Sequence, residues 1–317
     1  MFYSDDIYRA DLQCGVDSSI GLSKTDNSSF LITGASGLIG GFLVDMLMFF
    51  AESSLHRVDV YALGRDRTTL EKRFESHLGK ENFHILHHDV RNPFKFEIKF
   101  DYIIHAASNA HPRAFVSNPV ETITSNILGT HYLLEHMLRI GGTRLLYVSS
   151  GEVYGNSNNP TPFLEADSGF IDSMSVRACY PNSKRLAETL CVAFFAQYDV
   201  DSVIARPCHT YGPTTNIDDS RASSQFVYDV ASGRDVIMKS DGSQLRSYCY
   251  VADCASGILT ILLNGQAACA YNIANRKSNI SILEMATAVA RAGNKKVSFD
   301  TPTGIEQLGY NPAMHSV

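Results

Sequence analysis

The sequence has no apolar run long enough to cross a membrane and no cluster of like charges. Because a membrane-spanning helix needs about 18 or more consecutive apolar residues, no such helix is expected. A net charge of −6 without a basic patch also argues against binding to nucleic acid or to an anionic membrane surface. The composition therefore gives no sign of a nucleic-acid or membrane partner.

Cysteine is also sparse, and the seven cysteines form no CxxC pair and no spacing typical of metal ligands. They are expected to be buried thiols of a reducing compartment. The N-terminal segment is acidic and polar, which predicts no secretory signal, so a cytoplasmic location is expected. His84, His87 and His88 alternate along a predicted strand, and no metal site is expected there.

The chain does contain the alternation of strands and helices that is typical of an α/β fold. From Phe30 onwards, short apolar or β-branched runs alternate with amphipathic helical segments. Nearly continuous apolar strands separated by helices indicate a parallel sheet that is covered on both faces. Right-handed crossovers then predict a doubly wound Rossmann sheet with its ligand at the carboxyl ends of the strands.

Composition and pattern divide the chain into three parts. Residues 1–28 are expected to form a helical arm, and residues 29–206 the dinucleotide-binding Rossmann domain. Residues 207–317 are more polar and are expected to form mainly a smaller substrate-binding lobe, interleaved with the Rossmann core. Helices are predicted in this lobe near 221–232, 251–264 and 281–293. The sequence stops at Val317 without a closing helix, as expected of a shortened chain.

A glycine-rich turn follows the first predicted strand and opens the next helix. Gly34 permits the tight turn, Gly37 lets the backbone approach a pyrophosphate, and Gly40 lets helix and strand pack closely. Unpaired N–H groups at the helix N-terminus are expected to bind the phosphates. The alternative, a tight turn with incidental glycines, does not account for the βαβ pattern that follows. The remaining residues of this predicted cofactor turn are Ser36, Leu38 and Ile39.

The end of the second predicted strand bears on the choice between NAD and NADP. An acidic residue there would bind the ribose 2′-hydroxyl of NAD, whereas an arginine would bind the 2′-phosphate of NADP. Gly64 stands where the acid is expected and Arg65 follows it, which favours NADP. Asp66 is still within reach of a ribose, and Arg65 is alternatively a solvated loop residue. Further cofactor contacts are predicted at Asp89 and Val90, beside the adenine, and at the small residues Ala106, Ala107 and Ser108.

Tyr180 and Lys184 lie four residues apart at the start of a predicted helix, so both share one helical face. The ammonium and the positive charge of a nicotinamide are expected to favour tyrosinate and to lower the pKa of Tyr180 from about 10. Ser150 ends the strand TRLLYVSS and is expected to hydrogen-bond the reacting hydroxyl. A YxxxK pair alone recurs by chance, but the preceding Ser-Ser and glycine-rich turn make this combination specific.

Taken together, these segments resemble the extended short-chain dehydrogenases/reductases of the NAD-dependent epimerase/dehydratase family. The resemblance runs from about Phe30 to about Gly293 and rests on GASGLIG, DV, HAAS, the helix carrying Asn126, SSGEVYG, YPNSK, RPCHTYGP and RSYCYVAD. It implies a tightly held nicotinamide, with Asn126, Tyr180 and Lys184 among its binding residues. It also implies a nucleoside-diphosphate sugar substrate that is oxidised at C4, and a homodimer formed by the helices near 119–140 and 180–198.

Within the resembled family, the residues after the catalytic serine differ between reactions. Family 4-epimerases have small residues there, 4,6-dehydratases have Asp-Glu, and UDP-glucuronate decarboxylases have Ser-Glu. This chain reads Ser150-Gly151-Glu152, which keeps the glutamate and lacks the acid used for loss of water. Segments 184–189 and 219–226 are also similar to the decarboxylases. Glu152 is therefore a predicted catalytic residue; the alternative is a structural carboxylate paired with a basic neighbour.

The predicted substrate-binding residues include one departure from the family. The family motif RxxNxxGP normally supplies an asparagine to the sugar or diphosphate, and His209 takes its place here as either a polar ligand or a packed imidazole. Arg221 and Arg246 resemble arginines that clamp the diphosphate or sugar, a role that suits the guanidinium fork. Arg221 is alternatively an exposed helix arginine. Ser149 and Gln225 complete the predicted substrate-binding set.

The resemblance implies that Tyr180 removes the O4 proton and that the 4-keto sugar is then decarboxylated or dehydrated. Decarboxylation is favoured because it needs no acid to expel hydroxide. A nucleotide-sugar 4-epimerase is the nearest alternative. A non-catalytic dinucleotide or nucleotide-sugar binding protein is the other.

Overall fold

The computed structural model describes residues 2–54, 56–156, 161–215 and 219–300. Its strands are β1 (Ser28–Thr33), β2 (Val58–Gly64), β3 (Phe83–His87), β4 (Tyr102–His105), β5 (Arg144–Val148), β6 (Ser202–Pro207), β7 (His209–Tyr211), β8 (Val236–Met238), β9 (Leu245–Tyr250), β10 (Ala270–Ile273), β11 (Asn279–Ser281) and β12 (Val297–Phe299). Seven of these strands form one parallel sheet in the order β10-β6-β5-β4-β1-β2-β3. The predicted doubly wound Rossmann sheet is confirmed.

Helices cover both faces of this sheet. They are α1 (Asp6–Ser18), α2 (Leu38–Ser53), α3 (Arg67–Arg73), α4 (Pro112–Ser117), α5 (Pro119–Ile140), α6 (Cys179–Tyr198), α7 (Ala222–Ala231), α8 (Val251–Asn264) and α9 (Ile282–Ala292). Because side chains alternate along a strand, Ile32 faces the core layer beneath α2 and α8, whereas Leu31 faces the layer beneath α5 and α6. Among the described residues, none of the helices is both long and apolar enough to span a membrane.

The C-terminal part of the chain adds smaller sheets beside the carboxyl ends of the central strands. A three-stranded sheet has the order β11-β9-β7, and β12 pairs with β8. The three helices predicted here are present as α7, α8 and α9. Between them the chain returns to the central sheet, where β10 pairs with β6. The expectation about the end of the chain concerns residues 311–317, which lie outside the described residues.

The N-terminal arm contains the expected helix, α1. The side chain of Asp5 caps it by accepting hydrogen bonds from the backbone N–H groups of Ile7 and Tyr8. On its buried side, the Tyr8 hydroxyl donates to Oδ2 of Asp45 at 2.6 Å. On another side, the hydroxyl of Tyr250, at the end of β9, donates to Asp11. The arm therefore contacts both the Rossmann core and the C-terminal part.

Candidate active site

A pocket opens at the carboxyl ends of β1, β4, β5 and β6. This is where a doubly wound sheet is expected to bind its ligand. The predicted site residues that line it are Gly34, Gly37, Leu38, Ile39, Gly40, Ala106, Ser108, Ser149, Ser150, Glu152, Tyr180, Lys184, His209 and Arg221. Residues from distant parts of the sequence are thus brought together in one place.

The glycine-rich turn forms one wall of this pocket. Gly34 has a φ of +67°, a region that L-residues with a side chain rarely adopt, and a Cβ there would lie 2.7 Å from the Cα of Ala107. A Cβ at Gly40 would collide with the carbonyl oxygen of Gly34. Gly37 caps α2 without a side-chain hydrogen bond, so the first N–H groups of α2 are left to bind an anion. The turn fits a dinucleotide pyrophosphate.

Lys184 is held at the floor of the pocket. Its Nζ donates to the carbonyl oxygen of Val148 at 2.7 Å and lies 4.7 Å from the ring centroid of Tyr147. The side chain is buried, and this burial lowers its pKa to about 7, because a low-dielectric environment disfavours the charged ammonium. Lys184 therefore changes protonation near neutral pH.

Tyr180 is buried beside Glu152, and both its burial and this neighbour act on its pKa. Burial of the phenol raises the pKa of Tyr180 to about 12, and the negative charge of Glu152 adds to this rise. Ser150, Arg221 and Arg177 act in the opposite direction and lower the pKa. In the protein alone, burial beside a carboxylate disfavours tyrosinate more than the nearby donors and cations favour it. The predicted lowering also depends on the positive charge of a bound nicotinamide, and it stays a prediction.

The two serines at the end of β5 have different partners. The Ser150 side chain accepts a hydrogen bond from the N–H of Glu152 at 3.2 Å and caps a short 3-10 turn. The Ser149 hydroxyl donates to Oε1 of Glu188 at 2.5 Å, and Glu188 also forms a salt bridge with Arg206. Ser149 lines the pocket, and its hydroxyl donates to Glu188.

Glu152 lies in the pocket wall and is paired with a basic side chain. It lines the pocket, and both of its carboxylate oxygens accept hydrogen bonds from Nη2 of Arg177, at 2.8 and 2.7 Å. The Arg177 guanidinium lies 4.4 Å from the ring centroid of Phe115, and Phe115 stacks on Tyr180. The basic neighbour considered as an alternative is therefore present, while the charge of the carboxylate also acts on Tyr180.

His209 and Arg221, both predicted to bind substrate, line another wall of the pocket. Burial lowers the pKa of His209 to about 3, and the charges of Arg246 and Arg221 add to this effect, so the imidazole is neutral. Arg221 makes a forked salt bridge with Asp219, including an Nη2–Oδ2 distance of 2.5 Å, and donates to the carbonyl oxygen of Thr210. It is neither an exposed helix arginine nor an unpaired cation.

Two predicted substrate residues lie outside the pocket lining. Gln225 donates to the carbonyl oxygen of Asp219 at 2.6 Å and so supports the loop that carries Arg221. Arg246 is buried in β9, where its Nη1 donates to the carbonyl oxygen of Leu245. Its charge reaches His209, so it acts on the pocket through that neighbour.

The predicted residues for the adenosine half of the cofactor also lie outside the lining. Arg65 is exposed, and Asp66 caps α3 by accepting from the N–H of Thr69 at 2.8 Å. Asp89 makes a forked salt bridge with Arg91, whose hydrogen bonds and charge lower the pKa of Asp89. The carboxylates expected beside the ribose and the adenine are thus both engaged within the protein.

The remaining predicted cofactor residues support the site from outside its lining. Ala107 donates its N–H to the Thr33 hydroxyl at 3.2 Å, and Val90 packs in the core. Asn126 is buried and donates to the Ser183 hydroxyl at 2.9 Å, which ties α5 to α6. Ser36 is exposed beside the glycine-rich turn.

Several residues of the site were not predicted from the sequence. Arg177, Phe115 and Glu188 are involved in the contacts just described, and Cys208 lines the pocket after β6. Arg177 stands three residues before Tyr180. This spacing does not indicate its contact with Glu152, because Glu152 lies 25 positions earlier in the chain. Among the described residues, no group of three or more His, Cys, Asp or Glu side chains is arranged to hold a metal ion.

Comparison with known proteins gives the family. The model of the NAD dependent epimerase/dehydratase family matches residues 30–274. The chain belongs to this family. One relative is UDP-glucuronic acid decarboxylase 3 of Arabidopsis thaliana, which is 35% identical to this chain over 272 residues. The matched region covers 86% of this chain and 76% of the relative.

The chain spans a smaller share of some other relatives, which are longer. UDP-glucuronic acid decarboxylase 1 of Xenopus tropicalis is 34% identical over 268 residues, 84% of this chain, but the chain spans only 61% of that relative's length. Among solved structures, a dTDP-glucose 4,6-dehydratase from Streptomyces venezuelae, with NAD bound, has a TM-score of 0.75 at 22% identity. The matched region covers 90% of this chain and 92% of the dehydratase chain. This similarity supports the Rossmann fold.

Proposed function

We propose that this chain is a UDP-glucuronate decarboxylase that oxidises the sugar at C4 and then releases carbon dioxide. The observation that carries the proposal is the pocket in which Ser150, Tyr180 and Lys184 lie together with Glu152, while Gly151 supplies no acid. Relatives at 34–36% identity over more than four fifths of the chain carry the name UDP-glucuronic acid decarboxylase, which supports the same reaction.

In the proposed reaction, Tyr180 removes the proton of the sugar O4, and Ser150 holds that hydroxyl against the tyrosine oxygen. When bound along the glycine-rich turn, a nicotinamide dinucleotide supplies the hydride acceptor for C4 and later the hydride donor. Lys184, with a pKa of about 7, is placed to exchange protons near neutral pH. Each of these residues lines the pocket, so they can act on one substrate.

Decarboxylation fits the pocket better than dehydration. With a ketone at C4, the carboxylate carbon of a uronic acid is lost as carbon dioxide, and the electron pair of the broken C5–C6 bond is delocalised towards the ketone oxygen. No acid is needed to expel a leaving group, which agrees with glycine at position 151. C5 then takes up a proton, and we assign its delivery to a water held by Glu152. When C4 is reduced again, Tyr180 returns the proton to O4, which restores the hydroxyl and completes the reaction.

The experiment is incubation with UDP-, dTDP-, GDP- and CDP-sugars, followed by mass spectrometry. We expect UDP-glucuronate to lose the mass of carbon dioxide. Loss of the mass of water from a hexose would mean a dehydratase, and unchanged mass with altered stereochemistry would mean a 4-epimerase. Binding of nucleotide sugars without any turnover would support a non-catalytic binding protein. Any of these three outcomes contradicts the proposal.

The nucleotide preference is proposed separately, since the family is described as NAD dependent. Arg65 directly follows the end of β2 and is exposed. This position still favours NADP, as predicted from the sequence. Denaturing the purified protein and identifying the released dinucleotide tests this point. Recovery of NAD alone would show that Arg65 is a solvated loop residue.

A homodimer through α5 and α6 is also proposed. Each of these helices carries large apolar side chains that are exposed on the single chain, and exposed apolar side chains on neighbouring helices are typical of subunit interfaces. They are Val120, Ile123 and Leu138 on α5 and Leu186, Val192 and Tyr198 on α6.

A further inference from the structure

Arg177 lies directly behind the carboxylate of the proposed decarboxylation site. Its Nη2 donates to both oxygens of Glu152, and the two side chains are only 16% and 17% exposed. Phe115 packs against the guanidinium and stacks on Tyr180. Burial and these contacts fix the position of the cation next to a carboxylate that faces the pocket.

The other charges of the pocket lining are already compensated or weakened. Arg221 is paired with Asp219. Lys184 donates to the carbonyl oxygen of Val148, and its burial disfavours the charged ammonium and lowers its pKa to about 7. Next to Tyr180, Glu152 and Arg177 form a pair of opposite charges, and Arg221 also acts on the pKa of the tyrosine.

We propose that Arg177 is a positioning and specificity-determining residue that allows a negatively charged uronate to bind beside Glu152. Two carboxylates in one site disfavour each other when both are charged. By neutralising Glu152 and fixing its orientation, Arg177 removes that repulsion from the substrate carboxylate at C6. A neutral hexose, which has a hydroxymethyl group at C6, does not depend on Arg177. This inference rests on the proposed function.

The test compares two probes that differ only at C6, UDP-glucuronate and UDP-glucose. Dissociation constants are measured by calorimetry in a Tyr180→Phe background, where turnover does not interfere. We expect Arg177→Met to weaken the binding of UDP-glucuronate about 10- to 100-fold, because the charge of Glu152 is then uncompensated. The dissociation constant of UDP-glucose should change less than about threefold. Equal weakening of both sugars, or no weakening of either, overturns the inference.

A second substitution separates charge from packing. Arg177→Met combined with Glu152→Gln leaves no charge at the pair, so UDP-glucuronate binding is expected to return to within about threefold of the background protein. A structural role for Arg177 predicts no such recovery. If the methionine variant does not fold, Arg177→Gln gives the same comparison, and a preserved preference for the uronate in that variant overturns the inference.

Arg185 provides a matched control. It also holds the loop that follows β5, by donating to the carbonyl oxygens of Val153 and Gly169 at 2.6 and 2.9 Å, but its hydrogen bonds do not involve Glu152. Arg185→Met is expected to affect both sugars to the same extent. A selective loss of uronate binding in this control would show that the effect does not come from the contact with Glu152.

Failure of the proposed function and failure of this inference give different results. If the protein with Arg177 intact shows no preference for UDP-glucuronate and the active enzyme releases no carbon dioxide, the proposed function is wrong. If the active enzyme decarboxylates UDP-glucuronate, yet Arg177→Gln keeps the same ratio of dissociation constants, only the role of Arg177 is wrong.

Discussion

The ring of Phe115 stacks on the ring of Tyr180, with centroids 4.6 Å apart and planes inclined by 24°. The position of the tyrosine is therefore set by its ring and by burial, and not by its hydroxyl alone. Removal of the hydroxyl leaves the stacked surface in place. This makes Tyr180 a residue at which chemistry can be separated from folding.

Tyr180→Phe is expected to reduce kcat by about 10²–10⁴, because the group that accepts the O4 proton is lost. The thermal midpoint and the amount of bound dinucleotide should remain close to those of the unmodified protein. Steady-state kinetics and release of the dinucleotide on denaturation measure both properties. A variant with unchanged kcat would remove Tyr180 from the reaction.

Glu152→Gln is expected to move the pH dependence of C4 oxidation. The pKa of Tyr180 is about 12, and the charge of Glu152 is one of the causes of its rise. Removal of that charge lowers the pKa, so tyrosinate forms at lower pH and the rising limb of the rate moves to lower pH. Single-turnover reduction of the dinucleotide, followed at a series of pH values, measures the shift.

Arg177→Gln is the control for that shift, because Arg177 lowers the pKa of Tyr180. Its removal should move the same limb to higher pH. Shifts of both variants in one direction would contradict the assignment of this limb to Tyr180.

Gly40→Ala is expected to destabilise the fold and to weaken dinucleotide binding. A Cβ at this position collides with the backbone oxygen of Gly34, which cannot move without opening the phosphate turn. Overpacking of this kind costs about 1–3 kcal/mol. Gly257→Ala is the matched helical control, since its Cβ would meet only the Ile273 side chain at 3.3 Å, and alanine favours the helix by up to about 1 kcal/mol. Thermal unfolding with and without added NAD distinguishes the two; equal midpoints would contradict the prediction.

Val192→Asp is expected to convert a homodimer into monomers, because it places a charge on the exposed apolar part of α6 and charge is disfavoured in the buried centre of an interface. Val192 is 43% exposed on the single chain. Ile7→Asp on α1, where Ile7 is 77% exposed, should leave the assembly unchanged. Light scattering during size-exclusion chromatography gives the mass of each. If the unmodified protein is a monomer, α5 and α6 do not form an interface.

The parts of this molecule that could be predicted from sequence are those encoded by local patterns. Two such patterns each span only a few residues: the glycines from Gly34 to Gly40, and the helical spacing of Tyr180 and Lys184. They therefore indicate the strand–turn–helix and the shared helical face directly. The strand pattern around them was sufficient for the Rossmann sheet, because apolar runs and helices alternate regularly.

The parts that could not be predicted depend on contacts between distant segments. Ser149 and Glu188 are 39 positions apart, and Glu152 and Arg177 are 25 apart, so neither pair follows from spacing. For the same reason, no pattern in the sequence indicates the groups that raise the pKa of Tyr180 in the protein alone. Its sequence neighbours show a lysine, whereas its burial and the approach of Glu152 appear only in the folded chain.

The hydrogen bond from Tyr250 to Asp11 joins residues 239 positions apart, and it has a consequence for the order in which the protein is made. During synthesis α1 leaves the ribosome before β9, and Tyr250 follows only after the intervening residues have been translated. Contacts between such distant residues slow folding, since a long loop must close before they form. We therefore expect α1 to pack against the C-terminal part late in folding. A chain interrupted before Tyr250 would lack one of the hydrogen bonds that hold α1.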